Sequence, residues 1–164
     1  MAAARSKALQ QARMDTLGWF LGYSFALLNR LVVQRVQASG HPDFRPALST
    51  LTRAMPPEGE ARISTLADRA SVTKQAMSQL VAEMSDLGLV RVEPDPDDRR
   101  AKLVSYTRSG ERLARSIVSA ARDIEGLCKK HLGRDALTTL RERLQEVIAA
   151  LETETGKGPK ASRS

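Results

Sequence analysis

The sequence has one cysteine, Cys128, so no disulfide framework can form within the chain and no four-cysteine zinc site within one subunit. A single thiol fits a reducing compartment. Six residues are aromatic, and five of them (Trp19, Phe20, Tyr23, Phe25, Phe44) fall in the first 44. A stacking platform for single-stranded nucleic acid needs aromatics along a groove, so that function is disfavoured. The longest apolar stretch, Leu17 to Leu28, contains two glycines and a serine and is too short to span a bilayer. Asp15 interrupts its basic approach and no small-residue cleavage pattern follows it, which argues against a signal peptide. A cytoplasmic protein without membrane partners is expected. Enzyme motifs are also missing. There is no HExxH, no GxSxG and no glycine-rich phosphate loop, and the acid pair Asp97-Asp98 sits where nothing would desolvate it. The expectation is therefore no enzyme, no cofactor and no metal.

What is present is a chain of 164 residues, enough for one hydrophobic core, with a net charge of +7. The charge is uneven. Residues 1–14 carry +3 and residues 153–164 carry +2, leaving only +2 for everything between. These ends read as a flexible basic arm and a flexible tail, able to add sequence-independent attraction to a polyanion.

Hydrophobic periodicity divides the rest. Residues 15–38 predict a helix whose broad stripe (Leu17, Leu21, Leu28, Leu31, widened by Phe20, Leu27, Val32 and Val36) implies burial on more than one side. Ser39-Gly40-His41-Pro42 ends it, and a second helix follows over 43–54. Two short helices come next, one opening at Ser64 and one capped by Thr73 that runs to Leu87 and stops at Gly88. Residues 89–92 and 102–106 predict two strands joined by the proline-containing loop 94–100. A helix opening at Thr107 or Ser109 carries Leu113, Ile117, Ala120, Ile124, Leu127 and His131 at alternating intervals of four and three, and a last helix covers about 134–152. Both are near-heptad seams. The domain boundaries expected are 15–54 (N-terminal helices), 55–108 (two short helices and a hairpin) and 109–152 (C-terminal helices).

Helix, short turn, helix and two-stranded hairpin, in that order, describe a winged helix-turn-helix. The fold class expected is mainly α with a small β-hairpin wing, joined to a helical dimerisation domain. The second helix of such a unit fits the major groove of duplex DNA, its start toward the bases. With the apolar face of residues 73–87 committed to the core, Thr73, Lys74, Gln75, Ser78 and Gln79 are left exposed in the first two turns. Lys74 suits phosphate or guanine, each glutamine can bond an adenine edge twice, and the hydroxyls suit phosphates or base edges. The plainer reading is a capped, solvated helix. The loop 94–100 holds three Asp and two Arg, a charge of −1 that phosphates should repel. It makes sense if Asp98 holds the Arg100 guanidinium in an extended pose for a minor groove, with Arg99 turned toward a phosphate. The plainer alternative is a solvated tip with incidental ion pairs.

Residues 64–110 resemble the DNA-binding domain of the multiple-antibiotic-resistance regulator (MarR) family. The likeness lies in Ser64-Thr65-Leu66-Ala67-Asp68-Arg69, Thr73 to Val81, Leu87-Gly88-Leu89-Val90, Asp95 to Ala101 and Thr107-Arg108-Ser109-Gly110. In element order it extends over about residues 15–152. It implies that the Asp98–Arg100 pair sits at the wing tip and that the first and last helices build a homodimer. Gln79 stands where the family often has Arg, which leaves the base preference open, and the stretch His41 to Arg45 is no general family feature. Relatives often bind small anionic or aromatic ligands between the dimerisation helices and the DNA-binding domain. Tyr23, His41, Phe44 and Arg45 are candidates for such a pocket, against the simpler expectation that the two aromatics are core and the other two surface. Cys128 reads as an inert thiol on the helix seam, and Cys128 with His131 makes too thin a set for a metal.

The function expected is a homodimeric, sequence-specific double-stranded-DNA-binding transcriptional regulator, a repressor with a near-palindromic operator and a small-molecule effector. The alternative is a helical dimeric interaction module with basic tails and no specific DNA binding.

Overall fold

The computed structural model describes residues 9–98 and 100–155. Residues up to Ala121 form one compact unit and residues from Arg122 a second. The arm read as 1–14 needs correcting in part, because residues 9–14 are helical; residues 1–8 and most of the tail lie outside the described residues.

Helix α1 spans Leu17–Ala38. The Thr16 side chain accepts from the Trp19 N–H at its start, and the Ser39 hydroxyl donates to the Val36 carbonyl at its end. The broad apolar stripe is real but largely uncovered within the protomer. Only Val33 and Val36 are buried, while Leu17, Phe20, Tyr23, Leu27 and Leu28 are exposed.

Helix α2 is Leu48–Ala54, shorter than the 43–54 expected from periodicity. Pro46 accounts for the difference, since it disfavours helical backbone at the preceding Arg45. Residues 43–47 instead hold Phe44 in the core, with its carbonyl accepting from Gln37 Nε2 at 2.8 Å. Strand β1, Glu60–Arg62, was not expected. Three residues with one apolar position carry too little alternation to register as a strand. It pairs antiparallel with β3, Ala61 opposite Val104.

Helix α3 (Ile63–Ala70) follows without a break, so Arg62 rather than Ser64 stands at its N-cap. Ser71 turns the chain in a left-handed conformation with φ 55°, the one described non-glycine residue to do so. Helix α4 (Lys74–Asp86) is capped as expected, the Thr73 hydroxyl accepting from the Ala76 N–H at 3.1 Å. Strands β2 (Val90–Pro94) and β3 (Lys102–Tyr106) complete a three-stranded sheet in the order β1-β3-β2, where a two-stranded hairpin was expected. Pro94 is tolerated because β2 is an edge strand.

Helix α5 spans Arg108–Leu132. Its start is tied to the end of α4. The Thr107 hydroxyl donates to the Gly88 carbonyl at 2.7 Å and accepts from the Gly110 N–H at 3.1 Å. Thr107, not Ser109, is thus the capping residue. Gly110 is required there, because a Cβ would lie 1.9 Å from the Leu89 carbonyl oxygen. The core of this unit joins Val36, Phe44, Leu48, Leu51, Leu66, Met77, Met84, Val104 and Leu113, each nearly inaccessible. Full burial of one such side chain is worth roughly 1.5–3 kcal/mol.

The second unit holds the end of α5 and helix α6, Arg134–Glu154. Gly133 (φ 85°) makes the turn, and Arg141 pairs with Glu125 at 2.6 Å. No residue of α6 is buried, and Leu140, Ile148 and Leu151 are exposed. Among the described residues no helix is long and apolar enough to cross a membrane, and none of the described His, Cys, Asp and Glu residues cluster as a metal site.

Candidate nucleic-acid interface

The first half of α4 and the base of the wing face each other across a cleft of about 420 Å³. Lys74 and Ser78 of α4, Arg100 and Lys102 of the wing, and Arg62 are among its lining residues. The described lining includes four cationic side chains and no acid. The helix contributes further, since unsatisfied N–H groups at its start carry partial positive charge. Lys74, Ser78 and Arg100 thus border one concavity.

The wing is built around two aspartates with different tasks. Asp95 is 4% exposed. Its Oδ2 accepts from Arg62 Nε at 2.5 Å, its Oδ1 accepts from the Asp97 N–H at 2.8 Å, and its own N–H donates to the Ala101 carbonyl at 3.1 Å. The Arg62 guanidinium, then the Asp97 amide, hold this carboxyl below the usual carboxylate range. Asp98 instead turns onto the backbone. Its Oδ1 accepts from the Arg100 N–H at 3.0 Å while its carbonyl accepts from the Ala101 N–H at 2.8 Å.

At the level of sequence, a model of the MarR family matches residues 49–101, from α2 through the wing. The transcriptional regulator HosA of Escherichia coli O111:H- is 27% identical over 113 residues, which are 68% of this chain and 82% of that protein. An uncharacterised HTH-type transcriptional regulator of Mycobacterium leprae (strain TN) is 32% identical over 105 residues, 62% of this chain and 71% of that one. The chain belongs to the MarR family. Solved structures agree in fold. Apo wild-type MarR from E. coli superposes with a TM-score of 0.66 at 21% identity, covering 80% of this chain and 96% of that one. A cysteine-to-serine mutant of E. coli MarR in complex with operator DNA gives 0.68 at 20% identity, covering 82% and 95%.

In this MarR-family chain the expected α4 residues are placed as follows. Thr73, Lys74, Gln75 and Gln79 are exposed and Ser78 is half-buried. Gln75 and Gln79 are one turn apart, outside the cleft lining. The hydroxyls differ in what they still offer. Thr73 Oγ1 already accepts, so its proton remains to be donated. Ser78 Oγ donates back to the Lys74 carbonyl at 2.8 Å, so it presents lone pairs. Arg99 lies outside the described residues.

The expected clasp of the Arg100 guanidinium by Asp98 is not found. Among the described residues no ion pair joins them, and the Asp98 carboxylate holds the Arg100 amide instead. An i, i+2 clasp needs an extended segment, whereas here the Ala101 N–H closes back on the Asp98 carbonyl and the short Asp side chain reaches the backbone two residues on. Sequence reasoning missed Arg62, Asp95 and Lys102. Asp95 had a signal, an Asp directly before Pro where a turn begins, but Arg62 had none while β1 went unseen.

The four ligand-pocket candidates also need correcting. Phe44 is core, Tyr23 is exposed and stacks on Trp19 with ring centroids 5.0 Å apart, and the Arg45 guanidinium is engaged by the Glu83 carboxylate of α4. That contact raises the Arg45 pKa through the hydrogen bond to Glu83. His41 is half-buried, and none of the four lines either cleft described. The larger cleft, about 620 Å³, lies instead among Met55, Glu60, Arg91, Tyr106, Arg115 and Ile117. Burial there pushes the Tyr106 phenol up to about 12.

Proposed function

We propose that this protein is a homodimeric, sequence-specific double-stranded-DNA-binding transcriptional regulator that acts in the cytoplasm as a repressor. The observation that carries the reading is the acid-free cleft shared by Lys74 and Ser78 of α4 and Arg100 of the wing. In this reading residues 73–79 enter a major groove, with Thr73, Lys74, Gln75, Ser78 and Gln79 toward the duplex. Asp98 shapes the wing turn, and Arg99 and Arg100 meet the adjoining phosphates and minor groove. The likeness to an operator-bound MarR structure supports it.

The homodimer is supported by what a single copy leaves uncovered: Leu17, Phe20 and Tyr23 of α1, and Leu140, Ile148 and Leu151 on α6. An apolar exposure of this kind marks an association surface. Two-fold symmetry then sets a near-palindromic operator with half-sites about 10 base pairs apart. A small-molecule effector is part of the proposal, with the larger cleft beside Tyr106 as its place. The DNA binding of one structural neighbour, BpsR of Bordetella bronchiseptica, is described as regulated by 6-hydroxynicotinic acid.

Selection of bound sequences from random duplexes tests the reading. A symmetric motif with that spacing is expected. A dimer by size-exclusion chromatography that shows no salt-dependent affinity for any duplex would replace it with the helical interaction module.

A further inference from the structure

We propose that Arg62 is a positioning residue for DNA recognition: through Asp95 it fixes the pose of the wing against α4, and so the place of Arg100. The inference rests on the DNA-binding reading above.

The argument begins with topology. In the order β1-β3-β2 the two outer strands share no backbone hydrogen bonds. Arg62 is the last residue of β1 and the N-cap of α3, the first helix of the helix-turn-helix. Asp95 follows the last residue of β2 and begins the wing loop. Their contact at 2.5 Å therefore joins the helix-turn-helix directly to the wing, skipping the central strand. The other hydrogen bonds of the described wing-loop residues Asp95, Asp97, Asp98 and Arg100 are internal to the hairpin and fix its shape rather than its angle to α4. Hairpins that stand out from a sheet are soft, and two strands alone are marginal. The β1–β3 ladder holds the central strand up to Leu103, and the buried carboxylate held by an arginine adds a charge-assisted link to the outer strand and the loop it begins.

Arg62 also lines the cleft, and its side chain is 42% exposed, so a direct phosphate contact is the competing role. Asp95 separates the two by sign. Removing a negative charge beside a polyanion strengthens binding by electrostatics alone. Removing the wing anchor weakens it.

The test compares Asp95→Asn and Arg62→Met, each alone and combined with Arg100→Ala, on the selected operator and on random duplex. Asp95→Asn and Arg62→Met are expected to weaken operator binding about five- to tenfold. In the Arg100→Ala background that loss should vanish, since two residues acting through one contact are not additive. Asp95→Asn should bind random duplex as tightly as wild type or slightly tighter, because only the electrostatic effect acts there. A third variant, Arg62→Met/Asp95→Leu, leaves no unpaired buried charge and so guards against unfolding. It should melt cooperatively and still show the operator loss. Operator binding by Asp95→Asn equal to or tighter than wild type overturns the proposal, as does a loss that persists in full without Arg100. A wild-type protein with no duplex affinity removes the DNA-binding reading itself, an outcome distinct from both.

Discussion

Arg62 Nε donates to Asp95 Oδ2 at 2.5 Å across 33 residues of sequence, and the carboxylate it meets is 4% exposed. The contact lowers the Asp95 pKa, so the folded state binds its proton less readily than the unfolded chain does. By linkage the contribution is complete above the ordinary carboxylate value, near pH 4, and is lost as pH falls through the lower folded value. Urea unfolding at a series of pH values checks this. Wild type should lose stability on acidification below about pH 4, and Asp95→Asn should lose less over the same interval.

Arg100 and Lys74 border one cleft yet should behave differently. A groove-reading arginine carries specificity, whereas a phosphate-bound lysine mainly releases a counterion. Arg100→Ala is expected to weaken operator binding by about 1–3 kcal/mol and relax the flanking preference. Lys74→Ala should weaken all duplexes alike and reduce the salt slope by about one. Gel-shift titrations at several salt concentrations measure both, and an unchanged operator affinity for Arg100→Ala would remove the wing from the interface.

Gly110 has no room for a methyl group. Its Cβ would meet the Leu89 backbone at 1.9 Å and the Tyr106 ring at 2.7 Å, so the start of α5 would have to move off Leu89 and the end of β3. Gly110→Ala should cost at least about 1–3 kcal/mol, the range for overpacking, because carbonyl backbone yields less than a side chain. Thermal melts show this directly. Gly126, with nothing within 4 Å of a built Cβ, is the control position, where alanine should be neutral or stabilising in its helix.

Ser71 adopts φ 55° at the turn between α3 and α4. Left-handed backbone costs a non-glycine residue about 1–2 kcal/mol, partly offset in glycine by its extra unfolded freedom. Ser71→Gly should therefore be stabilising by a few tenths to about 1 kcal/mol, and Ser71→Val destabilising by at least about 1 kcal/mol. Denaturant midpoints at constant slope would record both.

Much of this fold could be read in advance, for physical reasons that particular residues show. The α4 cap at Thr73 and its Gly88 stop are local chemistry, and the buried Met77, Val81 and Met84 repeat at helical spacing, so the sequence carried them. Strand β1 is defined by its pairing with β3, a long-range fact with almost no local signature. The two misassigned ionic roles share a cause. Spacing pairs Asp98 with the Arg100 side chain two residues on, as an extended segment would, but the carboxylate meets the Arg100 backbone amide. Arg45 looked free for a ligand because Glu83, its partner, is 38 residues away. Charge pairing at long range is invisible to spacing.

The opposed hydroxyls at the start of α4 have one more consequence. Thr73 has a proton to give and Ser78 has lone pairs to offer, about a turn further in. A partner group at Ser78 must donate, whereas one at Thr73 can take the proton that hydroxyl still carries. The two hydroxyls therefore give the start of α4 a built-in polarity that neither glutamine supplies.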